Sequence, residues 1–168
     1  MNCKSFILFL LLLGVFACRK TPPQSPSNKN VPIDSLAEAM TAINQNLATR
    51  EDSIIGEYVK KNLPNFQKSH FGFWFHFDAA TQNPQINDSD IVDIDYQLFN
   101  FENKLLFQEN IKTKINKNSL PKGLEQGILM MRRGESATFI VPWYLAFGMR
   151  GNDKVPPFTS VIYKVNLK

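Results

Sequence analysis

GLEQGILMMRRGESATFIVPWYLAFG, residues 123–148, decides how the rest of the chain folds. It reads as a short helix, a turn at Gly134, a strand and the start of a long aromatic loop that Val155-Pro156-Pro157 closes. A helix this short is not stable alone in water, so Leu124, Ile128, Leu129 and Met131 must pack on a sheet. The sheet is found by working outward in both directions.

Upstream, residues 71–77 (FGFWFHF) alternate with period two and read as a half-buried strand with four Phe on one face. Residues 81–89 form a polar loop. The stretch 91–98 alternates again, with Val92, Ile94, Tyr96 and Leu98 on one face and Asp93, Asp95 and Gln97 on the other. A bend at residues 102–104 leads to a short strand over 105–108, and the polar, lysine-rich 110–119 reads as a flap. Downstream of the helix, strands are expected over 136–141 and 160–167, the last with Val161, Tyr163, Val165 and Leu167 inward. Antiparallel strands wrapped on one short helix make an α+β fold, expected over residues 69–168.

Farther out, Ser35 and Glu38 have the spacing of a capping box, and Leu36, Met40, Ile43 and Leu47 repeat at helical intervals. A second helical run, Ile54, Ile55, Tyr58 and Val59, precedes Leu63-Pro64. Residues 34–65 therefore read as a helical appendage, one bent helix or two. Its apolar stripe either packs on the domain or on itself, or serves as a homodimer contact or docking arm. Residues 18–33, rich in Pro, Ser, Asn and Lys, read as a flexible tether.

Residues 1–17 read as a signal peptide, with Lys4 as its positive region, an apolar run over 6–13 and small residues before Cys18. The sequence around Ala17-Cys18 resembles a bacterial lipobox, which makes Cys18 the site of lipidation. Acyl chains there would hold the protein on a membrane. Arg19 in the second mature position tilts the expectation towards the outer membrane, on the periplasmic side.

Composition removes several other classes. The chain has 168 residues, 43% of them hydrophobic, and a net charge of +4, which allow one domain with a leader and an appendage. The positive charge is dispersed, so nucleic-acid binding is not expected. The two cysteines are Cys3 and Cys18, so residues 19–168 contain neither a disulfide nor a thiolate metal site. Asp88, Asp90, Asp93 and Asp95 lack the glycine and distal glutamate of a calcium loop, and His70 and His76 lack partners at zinc spacing. No metal or cofactor is expected.

The Gly-hydrophobic-x-x-Gly helix at 123–127, the Gly134-Glu135 turn, Ala146-Phe147-Gly148 and Pro156-Pro157, in this order and spacing, resemble FKBP-type peptidyl-prolyl isomerases. The resemblance covers about residues 71–168. It implies an apolar, aromatic-lined pocket for a proline ring between helix and sheet. Carried over one position at a time, it implies catalytic roles for Tyr96, Phe147 and Tyr163. Leu106 or Phe107, with Leu120, Pro121, Leu124 and Val155, would line the pocket. The family's Phe-Asp pair has no clean counterpart, Phe147 stands where a tyrosine is usual, and Pro121 has no N–H to offer a ligand.

Leader, helical segment and divergent domain together are also similar to the FKBP-like lipoproteins associated with gliding motility. The implied function is a prolyl isomerase of the bacterial cell envelope acting on proline-containing polypeptides, with assistance to exported proteins as its role. The alternatives are a non-catalytic module of the same shape that holds a proline-rich partner or braces an envelope complex, and a general holdase acting through the helical arm.

Overall fold

The computed structural model describes residues 33–116 and 119–168. The signal peptide, Cys18 and nearly all of the tether lie outside the described residues. Two compact units are distinguished, Met1–Met40 and Thr41–Lys168. In the first, the described residues are helical, with Leu36 and Met40 exposed.

Helix α1 runs unbroken over Ile33–Asn62, with Asp34 in its first turn and Lys60 and Lys61 in its last. Both charge placements favour the helix dipole. The helix starts at Ile33 rather than at a Ser35 cap. It stops before Leu63-Pro64 because the residue preceding a proline is disfavoured in helical conformation. Ile43, Leu47 and Ile54 stay exposed, while Ile55 and Val59 are buried.

Six antiparallel strands follow: β1 Gln67–Lys68, β2 Trp74–Ala79, β3 Ile91–Phe99, β4 Leu105–Lys114, β5 Ser136–Val141 and β6 Val161–Leu167. They form one sheet in the order β1-β2-β5-β6-β3-β4. Helix α2, Lys122–Leu129, lies between β4 and β5 in the chain. The alternation in sequence places Val92, Ile94, Tyr96, Leu98, Val161, Tyr163, Val165 and Leu167 in one core with Leu124, Ile128 and Phe139.

Both glycines of the helix motif are explained by how closely α2 approaches the sheet. A Cβ on Gly127 would stand 2.9 Å from the Phe139 ring, and one on Gly123 would collide with the Val141 side chain. The Gly134-Glu135 turn has an equally local cause. Gly134 has φ +81°, a region that L side chains enter only with strain. The buried Glu135 carboxylate then accepts N–H groups from Arg132 at 2.7 Å and Thr81 at 3.1 Å.

Three expectations are corrected. Residues 110–114 are not a flap: β4 continues to Lys114, with Ile111 paired to Ile94 and Thr113 to Val92. The lysines that suggested a loop lie on an edge strand, where charge discourages further pairing. Strand β2 begins at Trp74 rather than Phe71, because Gly72 at φ +97° turns the chain first. Phe71 is consequently exposed, against the expectation of four core Phe, while Phe73 is fully buried.

The opposite face of the sheet carries a second cluster. Ile55 and Val59 of α1 pack on Ile140 and Ile162, with Tyr58, Trp74, Phe99 and Phe101 around them. Polar contacts hold this end of α1 in place. Ser160 Oγ donates to Glu51 and accepts the Trp143 N–H at 2.8 Å, and Asp52 accepts the Tyr144 hydroxyl at 2.8 Å and Lys68 at 3.0 Å. Ser160→Ala leaves the buried Trp143 N–H unpaired, which costs about 1–3 kcal/mol. Urea denaturation should show that loss as a lower midpoint at unchanged slope.

Candidate functional site

The site is built on three neighbouring strands. β6 lies between β5 and β3, and β4 pairs with the other edge of β3. In this register Tyr163 sits opposite Leu98 on β3 and Phe139 on β5, while Leu98 also faces Phe107 on β4. The three rings therefore meet: Tyr96 is 5.7 Å from Tyr163 and 6.0 Å from Phe107 between centroids, the latter edge-on. Edge and tilted contacts of this kind suit the quadrupoles of aromatic rings.

Leu120, Leu124 and Val155 are buried in the same cluster, and Leu106, Phe107 and Phe147 pack against it half-buried. Of the pair left open by the sequence, Phe107 has the ring that meets Tyr96, while Leu106 lies at the cluster's margin. Pro121 precedes α2 with φ −55° and ψ 142°, and its carbonyl accepts the Glu125 N–H at 3.0 Å. Glu125, buried in the first turn, accepts Lys122 Nζ at 2.7 Å and the Asn116 N–H at 3.3 Å. That carboxylate thereby ties the segment before α2 to the helix.

Two residues at the site were not anticipated. Glu109, directly opposite Tyr96 on β4, accepts the Tyr96 hydroxyl at 2.8 Å. A carboxylate therefore does stand beside the sheet tyrosine, two positions beyond the expected Phe107. It becomes visible in the sequence only once β4 is extended past Gln108. Lys154, in the proline-closed loop, places Nζ 4.6 Å from the Phe107 ring centroid, joining that loop to β4.

Burial and then the hydrogen bond to Glu109 push the Tyr96 phenol well above the usual tyrosine range; burial does the same to Tyr163, with a smaller contribution from the ionised form of Tyr96. Raised folded values mean that the stabilisation is complete below the ordinary tyrosine range and is lost as pH rises towards the folded values. Both phenols are thus neutral donors at physiological pH. The cluster is apolar and largely buried, with one carboxylate at its edge.

Three of the four acidic residues considered for metal lie beside cations. Asp93 and Asp95 lie beside Lys168, at 3.8 and 2.7 Å, and Asp90 beside Arg133 at 3.4 Å. His76 stacks on Phe66.

The FKBP-type peptidyl-prolyl cis-trans isomerase family matches residues 82–168. No match was found among curated proteins. Among solved structures, a peptidyl-prolyl cis-trans isomerase from Pseudomonas syringae pv. tomato is similar at a TM-score of 0.61 and 17% identity, covering 73% of this chain and 92% of its own. FkpA from Escherichia coli is similar at 0.59 and 17% identity, over 99% of this chain and 82% of its own. The N-terminal domain of FKBP42 from Arabidopsis thaliana is similar at 0.52 and 21% identity, over 56% and 83%. At these identities the structural likeness speaks for the fold, and the family match covers just over half of the chain, from the loop after β2 to the end of β6. The family match is sufficient for the assignment: this chain belongs to the FKBP-type peptidyl-prolyl cis-trans isomerases.

Proposed function

We propose that the chain catalyses rotation about X-Pro bonds at the Tyr96–Phe107–Tyr163 cluster, with half-buried Phe147 as its rim and buried Val155 in its wall. The observation that carries this reading is the aromatic cluster itself, apolar and packed on α2. Amide resonance opposes the rotation by about 18–20 kcal/mol, and no nucleophile, metal or cofactor is needed to lower that barrier. The twisted amide is less polar at its carbonyl than the planar form, so an apolar pocket favours it over the solvated ground state. Each preference of about 1.4 kcal/mol for the twisted form raises the rate tenfold.

In this proposal the enzyme is a lipoprotein of the bacterial cell envelope, anchored through Cys18 with its domain on the periplasmic side, more readily at the outer than the inner membrane. Its clients are exported polypeptides. The leader residues support this placement, and the sequence resemblance of leader, helical segment and divergent domain to gliding-motility FKBP-like lipoproteins is the ground for including a role in such an apparatus. Radiolabelled palmitate incorporated by the native chain and not by Cys18→Ala tests the anchor.

A homodimer through α1 forms part of the same reading. Ile43, Leu47 and Ile54 are exposed at intervals of four and seven residues, the spacing that lets two helices interlock. Sedimentation equilibrium should report a dimer that Leu47→Asp dissociates, whereas a monomer in both would remove this part.

Protease-coupled isomerisation of X-Pro peptides tests the central claim. A rate above background that falls in Phe147→Ala supports it. No acceleration across several X residues, with retained binding of proline-rich peptides, would replace it with the non-catalytic module, a reading favoured by the missing N–H at Pro121. Aggregation suppression that survives a pocket substitution and is lost on deleting residues 34–63 would point to the holdase.

A further inference from the structure

Two buried side-chain polar atoms among the described residues have no hydrogen-bond partner, Trp74 Nε1 and Tyr163 Oη. Trp74 belongs to the cluster under α1. Tyr163 belongs to the proposed pocket, where its side chain is fully buried and its ring lies 5.7 Å from that of Tyr96. A buried hydroxyl left unpaired is a cost to the folded state, and retaining one calls for a reason. Two other positions that the pocket reading names offer no free donor. The Tyr96 hydroxyl donates to Glu109, and Pro121, at the start of α2, has no N–H.

We infer that the Tyr163 hydroxyl donates a hydrogen bond to the carbonyl of the bound proline itself, fixing the peptide in the pocket. This rests on the isomerase reading above and adds to it the atom that orients the substrate. The choice of carbonyl follows from amide chemistry. A donor on the carbonyl of the rotating X-Pro bond would strengthen its resonance and hold it planar. A donor on the next carbonyl, that of proline, anchors the ring and leaves the rotating bond free. A prolyl peptide offers acceptors there, and the proline nitrogen has no proton that would compete.

Access requires the rim to move. Phe147 is half-buried, and exposed Lys154 reaches Phe107 from the proline-closed loop through one cation–π contact of 4.6 Å. Exposed contacts of that kind are weak. Turning the rim aside is therefore inexpensive compared with disturbing α2 or the sheet.

The test compares the full chain with Tyr163→Phe, using two peptides: Ala-Leu-Pro-NH2, and Ala-Leu-pyrrolidide, which lacks the proline carboxamide and with it the proposed acceptor. Dissociation constants for both come from NMR titration, and isomerisation rates for the prolinamide from NMR exchange at several peptide concentrations. The native chain should prefer the prolinamide by about three- to tenfold, the net worth of one hydrogen bond, and Tyr163→Phe should abolish that preference. Because the interaction is the same in ground and transition states, the variant should raise KM and leave kcat nearly unchanged. It should also melt no lower than the native chain, since it removes an unpaired polar group.

An undiminished preference in Tyr163→Phe overturns the assignment while leaving the isomerase reading in place. So does a lowered melting temperature, which would mean that the hydroxyl is already paired in the free protein. If the native chain binds neither peptide and does not isomerise the prolinamide, the isomerase reading itself fails, and this assignment with it.

Discussion

Phe139→Ala should remove about 3–5 kcal/mol of folding stability, the usual cost of truncating a fully buried Phe. Phe139 joins β2, β6 and α2 to β5. It is fully buried on β5. Its backbone pairs with Phe75 on β2 and Tyr163 on β6, and its ring meets Phe73 edge-on at 5.9 Å. The other side of the ring lies against Gly127 of α2, close enough that a single Cβ there would clash. Truncation therefore opens a space that the helix cannot fill without pulling away from the strands. Domains of this size have only about 5–15 kcal/mol in hand, so a urea melt should show a large drop in midpoint. Isomerisation should fall in parallel with the folded fraction. A loss below about 1 kcal/mol would mean that α2 settles into the space and that the close approach at Gly127 is not required.

Phe147→Ala should have the largest effect on turnover with little effect on folding. Phe147 is half-buried and packs on the edge of the cluster rather than within it, so its removal leaves no closed cavity. What it contributes is apolar cover for a bound proline ring. Losing half or more of a Phe contact is worth about 1.5–3 kcal/mol, which corresponds to roughly ten- to a hundredfold in kcat/KM. The coupled assay and a thermal melt on the same sample separate the two effects. A normal rate in a folded variant would move the reaction away from this rim.

How much of this was legible beforehand depends on the range of the interaction concerned. Strands β3 and β6 could be read because their alternation is local: each apolar position follows from the one two residues earlier. Helix α2 and the turn at Gly134 could be read because their glycine motifs are recognised within one short stretch, although the contacts that require Gly123 and Gly127 come from β5. The residues of the aromatic cluster could be named from the resemblance, since each is recognised by its own motif. Strand β4 was cut short because lysines on an edge strand and lysines in a loop look alike in one dimension.

The sequence by itself determined the α+β class, the inward faces of the central strands and the composition of the apolar cluster, because periodicity and motif spacing are local. Only the tertiary structure decided that Glu109 faces Tyr96, since that depends on strand register. It also decided that the last turns of α1 cover the outer face of the sheet, while Ile43, Leu47 and Ile54 stay exposed. Last, it left the Tyr163 hydroxyl without a partner. Whether a buried donor is satisfied depends on which atoms the other strands bring within about 3 Å, and residues far apart in the chain settle that.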